Sequence, residues 1–129
     1  SGGLDVNAGG NVTNSGALLI AGDTDVVATN ASINIDNAGN DFEGSVSADG
    51  TNITIVDIDD LDLGTVTATG NLVATAQSVT DSGTLDIDGT TNILSAGFNV
   101  ILDTVANDFT GAVSATGINI TLVDVNALA

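Results

Sequence analysis

The chain has no lysine, arginine or histidine, no cysteine, no proline, and no tryptophan, tyrosine or methionine. With 17 acidic residues against no basic ones the formal charge is −17, so nothing can neutralise phosphate and nucleic acid is excluded as a partner. Anionic membrane surfaces are excluded for the same reason. Catalytic sites that need imidazole, thiol, amine, guanidinium or phenol cannot be built, which leaves aspartate, one glutamate and hydroxyls. The absence of cysteine rules out a disulfide framework, so stability must come from burial and hydrogen bonding. No apolar run approaches the ~18 residues of a membrane span, and Ser1-Gly2-Gly3 has neither the basic nor the apolar region of a signal peptide. A lack of cations this complete points to an extracellular, salt- or calcium-containing setting in which counterions screen self-repulsion.

What the chain has is a repeat. Asn40-Asp41-Phe42-x-Gly44-x-Val46-Ser47-Ala48-x-Gly50-x-Asn52-Ile53-Thr54-x-Val56-Asp57 recurs 67 residues later, from Asn107-Asp108-Phe109 and Gly111 to Val123-Asp124. At that offset Ser15-Gly16 and Leu18 fall on Ser82-Gly83 and Leu85, and 25 of the 62 available pairs are identical without a gap. The chain therefore reads as a single solenoid over 1–129, with one unit at 1–67 and a second, incomplete unit at 68–129. Units of this kind bury their apolar faces on one another. The second unit stops at the equivalent of Asp62, five residues short of a full period, so head-to-tail self-association in register or neighbouring repeats of a longer chain are the partners expected.

Short alternating runs such as Ile33-Asn34-Ile35, Ile53-Thr54-Ile55, Val66-Thr67-Ala68 and Leu85-Asp86-Ile87 have the period of two that marks strands. Similar runs return every 19 to 21 residues, as from Val26 to Val46 to Val66 and from Ile33 to Ile53 to Leu72. Three short strands fit each interval, which predicts an all-β, three-faced parallel β-helix of about six coils and about three coils per unit. At about 4.8 Å per coil it would be a rod about 29 Å long. Between the runs lie Gly, Asn, Asp and Ser clusters, suited to corners that need left-handed backbone. The missing proline fits a continuous ladder in which every strand N–H donates. Asn40-Asp41-Phe42 with Gly44, and Asn107-Asp108-Phe109 with Gly111, read as structural corners in which the phenylalanine plugs a wide part of the section.

The phrase NDFxGxVSAxGxNITxVD, followed in the first unit by LDLGTVTATGNL, resembles the repeats of filamentous-haemagglutinin-type adhesins and autotransporter passenger domains. The resemblance covers nearly the whole chain. It implies a right-handed β-helix, export to the bacterial cell surface, and work as a stalk or adhesive shaft.

Asp57-Ile58-Asp59-Asp60-Leu61-Asp62 is the densest acidic stretch, and Asp86 with Asp88 repeats its pattern on a smaller scale. With Ile58 and Leu61 turned inward, Asp57 and Asp59 would project outward together, as would Asp60 and Asp62. Carboxylates on one strand face could supply some of the oxygens that calcium takes, although no calcium-loop or EF-hand spacing is present. These six aspartates are the candidate ligands for a divalent cation, and no other cofactor is expected. Stacked threonines such as Thr65 and Thr67 do not recur at each coil, so an ice-binding array is not predicted. A carbohydrate-cleaving site is not predicted either, for want of Trp or Tyr to stack on a sugar. The function read from the residues is non-enzymatic: a surface stalk segment or filament subunit, with direct adhesion to a carbohydrate or receptor, or a calcium-stabilised surface layer, as the alternatives.

Overall fold

In a computed structural model describing residues 2–129, the alternating runs become short strands that turn one side chain in and the next out. Ile33 and Ile35 are buried while Asn34 between them is exposed, and Leu85, Asp86 and Ile87 repeat the pattern. The strands form three faces. The first holds β1 (Leu4–Ala8), β4 (Thr24–Ala28), β7 (Val46–Gly50), the second half of β9 (Asp60–Ala68), β12 (Leu85–Ile87) and β15 (Asp108–Phe109). The second holds β2 (Val12–Thr13), β5 (Ile33–Ile35), β8 (Ile53–Val56), β10 (Leu72–Ala76), β13 (Thr91–Ser95) and β16 (Val113–Thr116). The third holds β3 (Leu19–Ile20), β6 (Asp41–Phe42), the first half of β9, β11 (Ser78–Asp81), β14 (Val100–Leu102) and β17 (Ile120–Leu122). Every pairing between coils is parallel. The chain is thus an all-β parallel solenoid of about six coils.

The core is a set of columns running along the axis. On the second face Val12, Ile33, Ile53, Leu72, Thr91 and Val113 stack in register, and beside them Ile35, Ile55, Ala74, Ile93 and Ala115. The first face corrects the simple valine column: Val26 pairs with Ala48 and Ala48 with Val66, while Val46 lies over Thr24. On the second face Val113 follows Thr91, and Ala115 follows Ile93. The coil length varies from place to place, and a bulge between Val46 and Ala48 takes up part of the difference.

The 67-residue unit is not three coils but three and a third. β7 lies on the first face, whereas its equivalent β16 lies on the second; β8 moves from second to third as β17, and β6 from third to first as β15. The pairings move with them. Leu19 pairs with Asp41 just as Asp86 pairs with Asp108, and Ile33 with Ile53 just as Val100 with Ile120. Ten strands per unit on a three-faced coil force this third of a turn. Successive units advance about 16 Å along the axis and return to the same face only after ten coils, about 48 Å.

The corners also differ from the left-handed turns that the composition suggests. Among the described residues only Asn30 (φ 55°) and Gly97 (φ 85°) have positive φ. Most of the glycines serve clearance between coils instead. A Cβ on Gly44 would sit 2.5 Å from the Gly22 carbonyl carbon, and one on Gly111 would press on the Gly89 carbonyl. Asparagine supplies the other corner device: Asn52 Oδ1 accepts from the Asn71 N–H of the next coil (3.0 Å), and Asn71 Oδ1 from the Thr90 N–H (2.8 Å).

Candidate functional site

The polar corner that follows the second face is the most elaborate feature of the first unit. Asn40 is fully buried. Its Oδ1 accepts from the Leu18 N–H (3.0 Å) and from Asn14 Nδ2 (2.7 Å), and its Nδ2 donates to the Ile35 carbonyl (3.1 Å). Its own carbonyl accepts from the Ile58 N–H of the next coil (2.7 Å). Phe42 then turns inward over Ile20 and is buried, so the expected aromatic plug is present. The second unit rebuilds the corner one face further on. Asn107 is fully buried, with Oδ1 accepting from the Leu85 N–H (2.9 Å), Nδ2 donating to Asp81 Oδ2 (2.6 Å), and its carbonyl accepting from the Val125 N–H (2.7 Å). Phe109 is buried over Ile87.

The acidic stretch is placed differently from its alternation. Asp57 is turned inward and only 4% exposed, while Ile58, expected inside, is 52% exposed. The corner overrides the strand period here. Asp57 Oδ1 accepts from the Asp59 N–H (3.4 Å), and the Ile58 N–H is committed to the Asn40 carbonyl. Leu61 does point inward.

Of the six candidate ligands, the structure brings Asp57 and Asp59 together and adds Asp41, which the sequence reading placed only in the corner motif. Among the described residues these are the one trio whose carboxylate oxygens lie within 4.8 Å of one another. Asp60 and Asp62 are instead held by hydroxyls of the next coil: Ser78 Oγ donates to Asp60 (2.7 Å) and Ser82 Oγ to Asp62 (2.7 Å). Asp86 and Asp88 are exposed, and Asp86 is stacked on Asp108. Asp41 could have been found from the repeat, because it stands in the corner phrase one coil below Asp59.

Burial pushes the Asp57 carboxyl up to about 6, against the opposing pull of the Asp59 and Phe42 N–H groups; the charges of Asp59 and Asp41 raise it further. A carboxyl raised in the folded state contributes stability that is fully present below its unfolded pKa near 3.8 and is lost as the pH rises through about 6. In a chelating buffer, Asp57→Asn is therefore expected to melt above the parent at pH 8, with the gap closing toward pH 4.5. Thermal melts of both chains across that window check the sign, and a gap that does not change with pH contradicts it.

The second unit keeps the corner but replaces one of its three carboxylates with an amide. Asp108, Asp124 and Asn126 stand where Asp41, Asp57 and Asp59 stand in the first. Asp124 Oδ1 accepts from the Phe109 N–H (3.3 Å), and Asn126 Nδ2 donates to Asp108 Oδ1 (3.0 Å).

No curated protein and no solved structure matches the chain. A family described as repeats of unknown function (DUF5649) matches residues 1–49 and again residues 50–116, the second match spanning one full 67-residue period. With nearly its whole length covered by two of these matches, the chain belongs to the DUF5649 family of repeats.

Proposed function

We propose that this chain is a length of structural shaft on the outside of a bacterial cell, built to be continued at both ends by coils of its own kind. The observation that carries the reading is the contrast between middle and end coils. Inward residues of the middle coils, such as Ile53, Leu72 and Ile93, are wholly buried because a coil lies on either side of each. The same positions in β1, β2, β16 and β17 are half-buried or exposed, Ile120 to 45%. Open strand edges with apolar residues beside them recruit another strand, and the occupant that fits the columns is a further coil of this repeat. A repeated surface that does not close on itself yields an open fibre. The cell-surface setting is supported by the resemblance to adhesin shafts and by a charge of −17 with no basic residue.

The backbone gives this reading a specific test. Ile33, Ile53, Leu72, Thr91 and Val100 each donate their N–H to a carbonyl of the next coil, to Asn52, Asn71, Thr90, Ala112 and Asn119 respectively. Ile120 is the equivalent of Ile53 and stands at the open edge of β17. Ile120→Pro deletes a donor that only an added coil would use. Concentrated parent protein is expected to form single-solenoid fibres in negative-stain electron microscopy, and Ile120→Pro, with parent-like circular dichroism, to remain monomeric in sedimentation velocity. A parent that stays monodisperse at all concentrations, or fibres that persist in the variant, would count against stacking through these edges.

A further inference from the structure

We infer that the first-unit corner binds one divalent cation of the calcium class between the carboxylates of Asp41, Asp57 and Asp59. The three groups come from two successive coils, and their ligand oxygens all lie within 4.8 Å of one another. That spacing matches the ion. Calcium–oxygen distances are about 2.3–2.6 Å, so oxygens on opposite sides of one ion are about 4.8 Å apart and neighbouring ligands closer.

Proximity alone would describe any acidic surface, but Asp57 is not on the surface. It is 4% exposed, and although its Oδ1 is engaged by the backbone, its Oδ2 is buried with no hydrogen-bond partner. A buried carboxylate oxygen left unpaired is costly, and such groups are normally paired with a cation or protonated. No side chain can serve as that cation, because the molecule has no lysine, arginine or histidine. Compensation must therefore come from solvent. The donors are all oxygen, which suits a hard cation and gives zinc or copper neither nitrogen nor sulfur.

The second unit is the internal comparison. At the same corner one carboxylate is replaced by Asn126, whose amide donates to Asp108. That amide N–H pairs with Asp108 and leaves two carboxylates at the corner instead of three, while Asp124 Oδ2 is, like Asp57 Oδ2, buried without a partner. The two equivalent corners thus differ in the number of carboxylates that could hold one ion, three against two, and a single exchange of carboxylate for amide converts one into the other. Because of the third-of-a-turn shift, the two corners lie on different edges of the shaft.

The test is a count of bound calcium by equilibrium dialysis of the full chain at micromolar free calcium in about 0.15 M NaCl, which screens diffuse binding to the acidic surface. The parent is expected to hold one ion. Asp59→Asn, which copies the second unit and so preserves the fold, is expected to hold none, and Asn126→Asp, which copies the first, two. Melting temperature in calcium against chelator should follow the same order, with no calcium effect on Asp59→Asn. A parent that binds no ion, or a count in either variant equal to the parent's, overturns the assignment.

Discussion

Replacing Asn40 by aspartate is expected to cost more than ~3 kcal/mol at pH 7 and to return much of that loss in acid. The change is nearly isosteric, and the oxygen that accepts from the Leu18 N–H and Asn14 Nδ2 is retained. Only the other end of the side chain differs. Where Nδ2 donates to the Ile35 carbonyl at 3.1 Å, the carboxylate would oppose an oxygen to an oxygen, and it would carry a full charge at a fully buried position. An uncompensated buried charge costs about 3–5 kcal/mol. In this chain it has no Lys, Arg or His to turn to. Protonation supplies the missing donor, so the new carboxyl is raised in the folded state, and its linkage stabilises below the unfolded pKa and fades as the pH rises. Urea unfolding of parent and variant at pH 7 and pH 4.5 would measure both parts. Equal midpoints at pH 7 would mean that the Asn40 network contributes nothing to the fold. Asn107→Asp should behave alike and more severely, because Asn107 Nδ2 donates to a carboxylate, Asp81 Oδ2, and the substitution would set two acids face to face.

The corner chemistry explains which parts of the molecule the residues disclose. Strands such as Ile33–Ile35 and Leu85–Ile87 announce themselves because alternation and burial agree there. Their stacking follows from the repeat. At Asp57-Ile58 the same rule fails, since a hydrogen bond to another coil, from the Ile58 N–H to the Asn40 carbonyl, decides which residue turns in. Such bonds join residues about one coil apart and leave no local period. The trio around Asp57 was half legible for that reason: Asp57 and Asp59 stand together in the chain, but Asp41 joins them only when the coils are laid on each other. The third-of-a-turn advance was implicit in two observed lengths, a coil near 20 residues and a unit of 67, whose ratio is not a whole number. Clearance glycines such as Gly44 and Gly111 look like turn formers in the sequence, because glycine there carries no sign of what passes beside it.

The rotation has a consequence for a shaft made of many units. Every corner phrase appears on all three edges in turn, so a feature placed once per unit is distributed around the rod. Acidic corners of the first kind and amide corners of the second then need not face the same way, and charge repulsion between like corners is spread over about 16 Å of axial rise. Repulsion is also reduced between adjacent coils, where Asp60 and Asp62 meet the hydroxyls of Ser78 and Ser82, and Asp23 meets the N–H (3.1 Å) and Oγ (3.3 Å) of Ser45. Hydroxyl and amide donors do in this molecule what basic side chains do elsewhere.

Phe42→Ala is expected to lose about 3–5 kcal/mol locally, and where that loss falls distinguishes a solenoid from a globular core. Phe42 is the largest buried side chain of its coil and is 1% exposed; its ring covers Ile20 and lies next to the corner held by Asn40 and Asp57. Removing it leaves a cavity that the short strands β3 and β6, only two residues each, are too small to close. In a globular domain such a cavity would lower the stability of every element together. A stack of coils interacts mainly between nearest neighbours, so the loss should be concentrated in the first two coils. Hydrogen exchange is expected to show faster opening over residues 4–42 while β10 and β13 at the centre keep their protection. Phe109→Ala should mirror this at the other end, exposing β15 to β17 and sparing β4 and β7. Uniform loss of protection in either variant would mean that the coils fold as one cooperative block, and that a coil has less independence from its neighbours than the columns of paired residues imply.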